Sequence, residues 1–247
     1  MKRKIIVGAT SAIAEHIARL WVAKEAIELV LIGRNADKLA QVAKDLSIRN
    51  PRCIIHTTVS DFLDPAAIEK TVDEVVNAKI VDCVLIAHGS LPDQTHCQAD
   101  LRACKDALEV NAVSPVLFAE AFVKHLEQAN HGTLAIIGSV AGDRGRKSNY
   151  VYGAAKGLLT RFTQGLQHRL AGTKVQVLLI HPGPTETPMT AHLKGQGLKL
   201  ASVEHVAAEI QRAIVKKKPV AYVPKQWRLI MTVIKLLPSP IFNRLDI

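Results

Sequence analysis

The sequence predicts a single α/β domain, a doubly wound parallel sheet of about seven strands with helices on both faces. Three observations carry that expectation. Strand-like and helix-like runs alternate along the 247 residues with no break in composition, which is the pattern of βαβ units joined by right-handed crossovers. Apolar residues make up 48% of the chain and aromatics only 4%. The strands are therefore aliphatic, as parallel strands buried on both faces require. The first strand also runs through a turn of small residues straight into a helical pattern.

Taken in order, strands are expected at 4–7, 28–32, 52–56, 81–86, 133–138, 175–180 and 220–223. After the first strand, Ile13, Ile17, Leu20 and Trp21 fall on one helical face. Further helices are expected at 36–46, 65–76, 100–111, 115–129, 150–170 and 202–216. Asp64-Pro65 reads as an N-cap and a first helical proline. No internal repeat, low-complexity stretch or interdomain linker interrupts the series. The domain is expected to span residues 1–224, followed by a tail at 225–247.

Candidate chemistry begins with Tyr152-Gly-Ala-Ala-Lys156. A phenol and an ammonium four residues apart share one helix face. That spacing alone recurs by chance in many helices, so its weight comes from the rest of the chain. A free Tyr titrates near pH 10, and a nearby cation favours phenolate, so Lys156 is expected to make Tyr152 more acidic. Tyr150 lacks such a partner, because its fourth neighbour is Ala154. Ser139 ends the apolar run at 133–138. Its hydroxyl would stand at the carboxyl edge of the sheet, where open α/β sheets place ligands. The set suits general acid–base chemistry on an alcohol or ketone.

Three further features point to a dinucleotide. The turn Gly8-Ala9-Thr10-Ser11-Ala12-Ile13-Ala14 joins a strand to a helix N-terminus. Free N–H groups and the positive dipole end make such a place an anion site, and small residues let a pyrophosphate approach. The bland reading is a plain strand-to-helix turn. The second strand ends in Gly33-Arg34-Asn35. In nucleotide-binding units an acid at this tip bonds the ribose 2′-hydroxyl, whereas Arg accommodates a 2′-phosphate. NADP(H) is therefore favoured over NAD(H), the alternative being that Arg34 is a solvated charge beside Asp37. Finally, His181-Pro182-Gly183-Pro184-Thr185-Glu186-Thr187-Pro188 ends the sixth strand and launches a loop over the same sheet edge. Residues 185–200 have the character of an active-site lid.

Together these residues resemble the short-chain dehydrogenase/reductase family over nearly the full length of the chain. In that likeness Ser139, Tyr152, Lys156 and Asn111 (within Val110-Asn111-Ala112-Val113-Ser114) match the catalytic tetrad in order and spacing. The resemblance implies a Rossmann fold with an NAD(P)-binding domain. Ser139 would hold the carbonyl oxygen, and Tyr152 would pass the proton. Lys156 would lower the Tyr pKa and bond the nicotinamide ribose. Asn111 would hold a water relay and a local helix kink. Gly8, Thr10, Ser11, Ala12 and Ile13 would form the pyrophosphate turn, with alanines at 12 and 14 where the family has glycine. Arg34 and Asn35 would meet the ribose, and Asp61 with Phe62 the adenine. Pro182, Gly183, Thr185 and Thr187 would line the nicotinamide side. Ala87 and Gly89 stand in the family's Asn-Asn-Ala-Gly position, here Ile86-Ala87-His88-Gly89, with His88 breaking the Ala-Gly pair. A small-molecule carbonyl or alcohol is the implied substrate. Homodimers or homotetramers are the implied assembly, built on the helices at 100–129 and 150–170.

Cys53, Cys83, Cys97 and Cys104 show no paired spacing, which points to a reducing cytoplasm and no disulfide framework. The ten histidines show no metal-ligand spacing, and no metal is expected. His88 and His181 are read as structural or solvated, with substrate contact the alternative. The opening Met1-Lys-Arg-Lys and short apolar run are expected to be a strand rather than a signal peptide, since the run stops almost at once, Glu15-His16 follow and no small-residue cleavage site comes after a proper apolar core. The net charge is +10, and residues 205–247 carry +6 of it. Within that tail, Trp227-Arg-Leu-Ile-Met-Thr-Val-Ile-Lys-Leu-Leu237 is helix-capable, apolar and flanked by cations. It reads as a helix packed on the domain or a sister subunit, or as an interfacial anchor at the inner membrane surface. Nucleic acid is not expected, because no reading helix or aromatic platform is evident. Two other functional readings accompany the reductase: a catalytically silent nucleotide sensor, motivated by the altered turn and His88, and a membrane-surface enzyme acting on lipid-linked or acyl substrates.

Overall fold

A computed structural model describes residues 1–77, 79–193 and 199–245. Seven parallel strands form one sheet: β1 (Lys2–Val7), β2 (Ile27–Gly33), β3 (Ile54–Val59), β4 (Cys83–Ile86), β5 (Thr133–Ile137), β6 (Gln176–Pro182) and β7 (Val220–Val223). Their spatial order is β3-β2-β1-β4-β5-β6-β7. The chain therefore winds outward from β1 to β3, then returns across β1 to start the second half at β4. Ligands in such sheets bind outside the carboxyl ends of the strands at that reversal.

The continuous apolar runs follow from this double winding. Side chains alternate faces along a strand, and both faces are covered. On one face Ile5, Val7, Val84, Ile86, Leu134 and Ile136 pack under α3 (Pro65–Val76), α6 (Ser114–Ala129) and α7 (Tyr150–Arg169). On the other, Ile6, Leu29, Leu31, Leu85, Leu178 and Ile180 pack under α1 (Ala12–Lys24), α2 (Ala36–Arg49) and α8 (Val203–Val215). The expected face of α1 is the packed one: Ile17 and Trp21 are buried, with Ile13 and Leu20 at the margin. Asp64 caps α3 through the N–H groups of Ala66 and Ala67, with Pro65 opening the helix.

Two expectations shift. The third strand begins at Ile54 rather than Arg52, because residues 50–53 close a turn in which the Cys53 N–H bonds the Asn50 carbonyl at 3.0 Å. β3 is an edge strand, half-exposed, so its polar His56-Thr57-Thr58 segment belongs to the ladder with no apolar signature. The helix expected at 100–111 is α5 (Leu101–Leu108), preceded by α4 (Gln94–Ala99) and followed by a π-turn at Glu109–Val113 that runs into α6. Leu101, Leu108 and Val113 on this stretch and Leu158 on α7 stay exposed, on the surface expected to associate.

The tail is helical. α9 (Gln226–Leu236) lays Met231, fully buried, against the domain, and Arg144 donates to the carbonyls of Ile234 and Leu237. A short α10 (Ser239–Phe242) follows, with the Arg144 guanidinium 3.8 Å above the Phe242 ring. All four cysteines are free thiols. Among the described residues no helix is long and apolar enough to cross a membrane.

Phe118 is fully buried and meets Phe62 edge-on at 4.9 Å and His88 at 5.6 Å. Phe118→Ala is expected to cost about 3–5 kcal/mol of stability. Urea unfolding checks it; a loss under ~1 kcal/mol would mean that this face of the core is not close-packed.

Candidate active site

The outer part of the site is a cleft of about 590 Å³ over the carboxyl ends of β1 and β2. Gly8 leaves β1 with φ of +80°, and a Cβ there would lie 2.6 Å from the backbone N and the Cβ of His88. Only glycine fits that approach and that conformation. Ser11 precedes α1 in extended conformation and makes no side-chain cap. The Glu15 N–H finds the Ser11 carbonyl at 2.9 Å. That leaves the N–H groups of Ala12, Ile13 and Ala14 without helical acceptors, facing the positive end of the dipole. Ala14 is fully buried in the core while Ala12 lines the cleft, so alanine is accommodated at both positions.

Arg34 and Asn35 line the same cleft, both exposed. The Asn35 side chain is already engaged, accepting from the Lys38 N–H at 2.8 Å to cap α2. Lys38 adds a second cation beside Arg34, a residue that sequence reasoning missed and that the register of a helix starting at Ala36 would have placed there. Arg34 forms no ion pair with Asp37 among the described residues. Phe62 and Leu63 close one wall. The Asp61 carboxylate instead accepts from the Leu63 N–H at 2.8 Å and is not part of the lining.

The inner part is a pocket of about 170 Å³, lined by Ala87, Gly89, Asn111, Ser139, Tyr152, Lys156, Pro182, Gly183, Thr185 and Thr187. It shares Ser11, Ile13, His88, Gly89, Thr187 and Met189 with the outer cleft, so the two are continuous. Ser139 follows β5 and starts a 3₁₀ turn at Val140–Asp143, its hydroxyl accepting from the Ala141 N–H at 3.1 Å. That turn lies directly on α7. A Cβ on Gly142 would come 2.6 Å from the Lys156 carbonyl carbon, and one on Gly153 2.9 Å from the Ala141 oxygen. Two missing side chains thus bring the Ser139 loop against the first turns of α7, which carry Tyr152 and Lys156. The Val151 N–H is held by Gln94 at 3.0 Å.

The electrostatics differ from expectation. Burial raises the Tyr152 phenol above its ordinary value, opposed by a hydrogen bond from Ser139; Lys156 contributes no lowering. The Lys156 ammonium lies 5.8 Å from the phenol ring centre and donates to the Ile137 carbonyl at 3.2 Å. Burial pushes Lys156 itself down to about 8. The phenol is therefore held protonated, not made acidic, because desolvation of the phenolate outweighs a cation at this distance.

Asn111 is fully buried in the π-turn at Glu109–Val113. Its amide donates to the Ala107 carbonyl at 2.9 Å, and its oxygen accepts from the Ser90 N–H at 2.9 Å. A Cβ at Gly89 would sit 2.8 Å from that oxygen. His88 lines both compartments, bonds Ser114 at 2.9 Å, and is pushed down to about 3 by burial and then by Lys156 and Arg34. It is neutral, and its Nδ1 is buried with no partner. His181 is a strut: it bonds the Ser139 carbonyl at 3.0 Å and stacks on Tyr222, whose hydroxyl donates to Asp143 at 2.8 Å. Of the expected lid, Thr185–Leu193 is described, with Thr187 tied to Thr190 at 3.2 Å; residues 194–198 lie outside the described residues.

A family model for short chain dehydrogenases matches residues 2–197. An uncharacterized oxidoreductase of Streptomyces coelicolor is 30% identical over 98% of this chain and 94% of its own. One from Mycobacterium tuberculosis is 32% identical over 98% and 96%. Among solved structures, a short-chain dehydrogenase from Sphingobium yanoikuyae in complex with NADPH superimposes with a TM-score of 0.83 at 18% identity, over 97% of each chain. The family match and these relatives identify the chain as an oxidoreductase that belongs to the short-chain dehydrogenase family.

Proposed function

We propose that this chain is an NADP(H)-dependent oxidoreductase that reduces a ketone, or runs the reverse oxidation of a secondary alcohol, through Ser139, Tyr152 and Lys156. The observation that carries the reading is the paired hydroxyls of Ser139 and Tyr152, set in a pocket continuous with a cleft that ends on open helix N–H groups.

The residues present fit a dinucleotide: the open N–H groups that start α1 and the Arg34 and Lys38 cations share one cleft, and Gly8 and Gly89 let that turn and wall pack on His88 and Asn111 where a Cβ would collide. The α1 N-terminus would hold the pyrophosphate, and Arg34 with Lys38 the 2′-phosphate. Lys156 and Thr187 would hold the nicotinamide side. When bound, the cofactor supplies or accepts the hydride. A phenol kept protonated by burial is the form that reduction needs, because it has a proton to give the new alkoxide. The Ser139 hydroxyl is placed to hold the same oxygen. Lys156, near half-charged at pH 8, sits behind the phenol as a buried cation. Asn111 fixes the Gly89–Ser90 backbone through the Ser90 N–H.

Tyr152→Phe is expected to lower turnover of any active ketone about 10³-fold and leave NADPH binding in place. Turnover retained in that variant would overturn the assignment. NADPH binding with no turnover across a carbonyl panel would favour the sensor instead. Arg34→Gln should weaken NADPH about 10–100-fold while sparing NADH, as loss of charge-assisted hydrogen bonds does. Equal losses for both cofactors, read by fluorescence titration, would remove Arg34 from that role.

A second reading is favoured by α9 and α10. One face of α9 packs inward through Trp227 and Met231, and the other exposes Leu229, Val233 and Leu236 at 72%, 53% and 77%. Ile241 and Leu245 continue the apolar surface. Lys225, Arg228, Lys235 and Arg244 flank it, with no acid between 225 and 245. The surface fits an anionic bilayer, with peripheral contact beside the pocket. Replacing Leu229, Val233 and Leu236 by Ser in the full chain should abolish sedimentation with phosphatidylglycerol vesicles and leave Met231 packed. Equal binding by both proteins, or self-association in place of vesicle binding, would reject it.

A further inference from the structure

We infer that the substrate carries an oxyanion, a carboxylate or phosphate, and that Arg146 receives it. The inference rests on the pocket of Ser139 and Tyr152 being the reaction site. Arg146 lines that pocket from the loop between the Ser139 turn and α7. Its guanidinium is poorly satisfied for a half-buried cation. Nε is buried with no acceptor. Nη2 reaches only the Met231 sulfur at 3.4 Å, a weak acceptor. No carboxylate forms an ion pair with it among the described residues.

The nearest acid, Asp143, is committed elsewhere. One of its oxygens accepts from the Tyr222 hydroxyl at 2.8 Å and lies 3.6 Å from Lys235; the other faces His181 at 3.5 Å. Its field reaches Arg146 but does not offset the burial, which pulls the guanidinium below its ordinary value. A desolvated cation without a paired anion is costly, and a planar fork of donors fits carboxylate or phosphate in two-point contact. Asn149 adds a second orphan in the same pocket: its Oδ1 is buried without a donor, and it precedes α7 without capping it. A hydroxyl or amide N–H on the substrate would satisfy it. Leu91, Val140 and Pro184 add apolar surface to the same pocket.

The experiment compares matched pairs with NADPH: a keto acid against its methyl ester, and a keto phosphate against the corresponding hydroxy ketone. The charged member of at least one pair is expected to have a kcat/KM at least about 10-fold higher, expressed in KM. Arg146→Gln should erase that preference and Arg146→Lys restore part of it, which a purely structural role would not do. The pair that responds tells carboxylate from phosphate. Thermal stabilisation of the unliganded chain by the keto acid or keto phosphate, absent with the ester or hydroxy ketone and lost in Arg146→Gln, reads the same site without turnover. Equal kcat/KM within both pairs, equal stabilisation by charged and neutral members, or a preference surviving in Arg146→Gln would each overturn the inference. Selective stabilisation with no turnover of any pair would leave the anion subsite standing and count against the reductase reading.

Discussion

The site depends on one steric condition, the direct seating of the Ser139 turn on the backbone of α7. Gly142 and Gly153 face that contact from opposite sides, and a methyl group at either would collide with main chain. Main chain cannot swing aside as a side-chain tip can, so the separation of β5 from α7 is fixed locally. With it are fixed the hydroxyl of Ser139 and the phenol of Tyr152, whose helix begins only twelve residues after the β5 loop does. Lys156 follows one turn later and is drawn under the same loop, where the Ile137 carbonyl receives it.

A second set of contacts holds the loop from the far side. His181 on β6 grips the Ser139 carbonyl, stacks on Tyr222 of β7, and stands beside the Asp143 carboxylate that Tyr222 also bonds. Three strands and the 3₁₀ turn therefore converge on one backbone carbonyl. Burial keeps this imidazole from charging easily. The loop is thus supported by hydrogen bonds and stacking more than by a titrating ion pair.

The sheet and the residues that meet at its carboxyl edge were legible because each has a local signature. Alternation of apolar runs gave the doubly wound topology, and the spacing of Tyr152 and Lys156 gave one helix face. Gly8 with its small neighbours gave the turn. What stayed hidden depends on packing between distant segments. The sign of the Tyr152 shift is set by how much water the fold removes from the phenol, which no spacing records. Arg146 and Asn149 look like ordinary loop polarity in sequence; that the guanidinium meets only the Met231 sulfur, eighty-five residues on, is set by packing. β3 was misplaced by two residues because an edge strand needs no apolar alternation. The π-turn at Asn111 is written in an amide that reaches back to the Ala107 carbonyl and across to Ser90, contacts invisible to periodicity.

Gly183 meets the tail. A Cβ on it would fall 2.1 Å from the Trp227 indole nitrogen, so the C-terminal helix rests on the strand end that forms one side of the pocket, and Arg144 and Arg146 reach it from the Ser139 loop. The appended segment in this sense backs the strand end and the loop that line the pocket. Whatever tilts α9 is transmitted to Gly183 and Arg146 together. Cutting the chain at the end of the sheet would therefore take away the support of Gly183 and Arg146 as well as a surface patch.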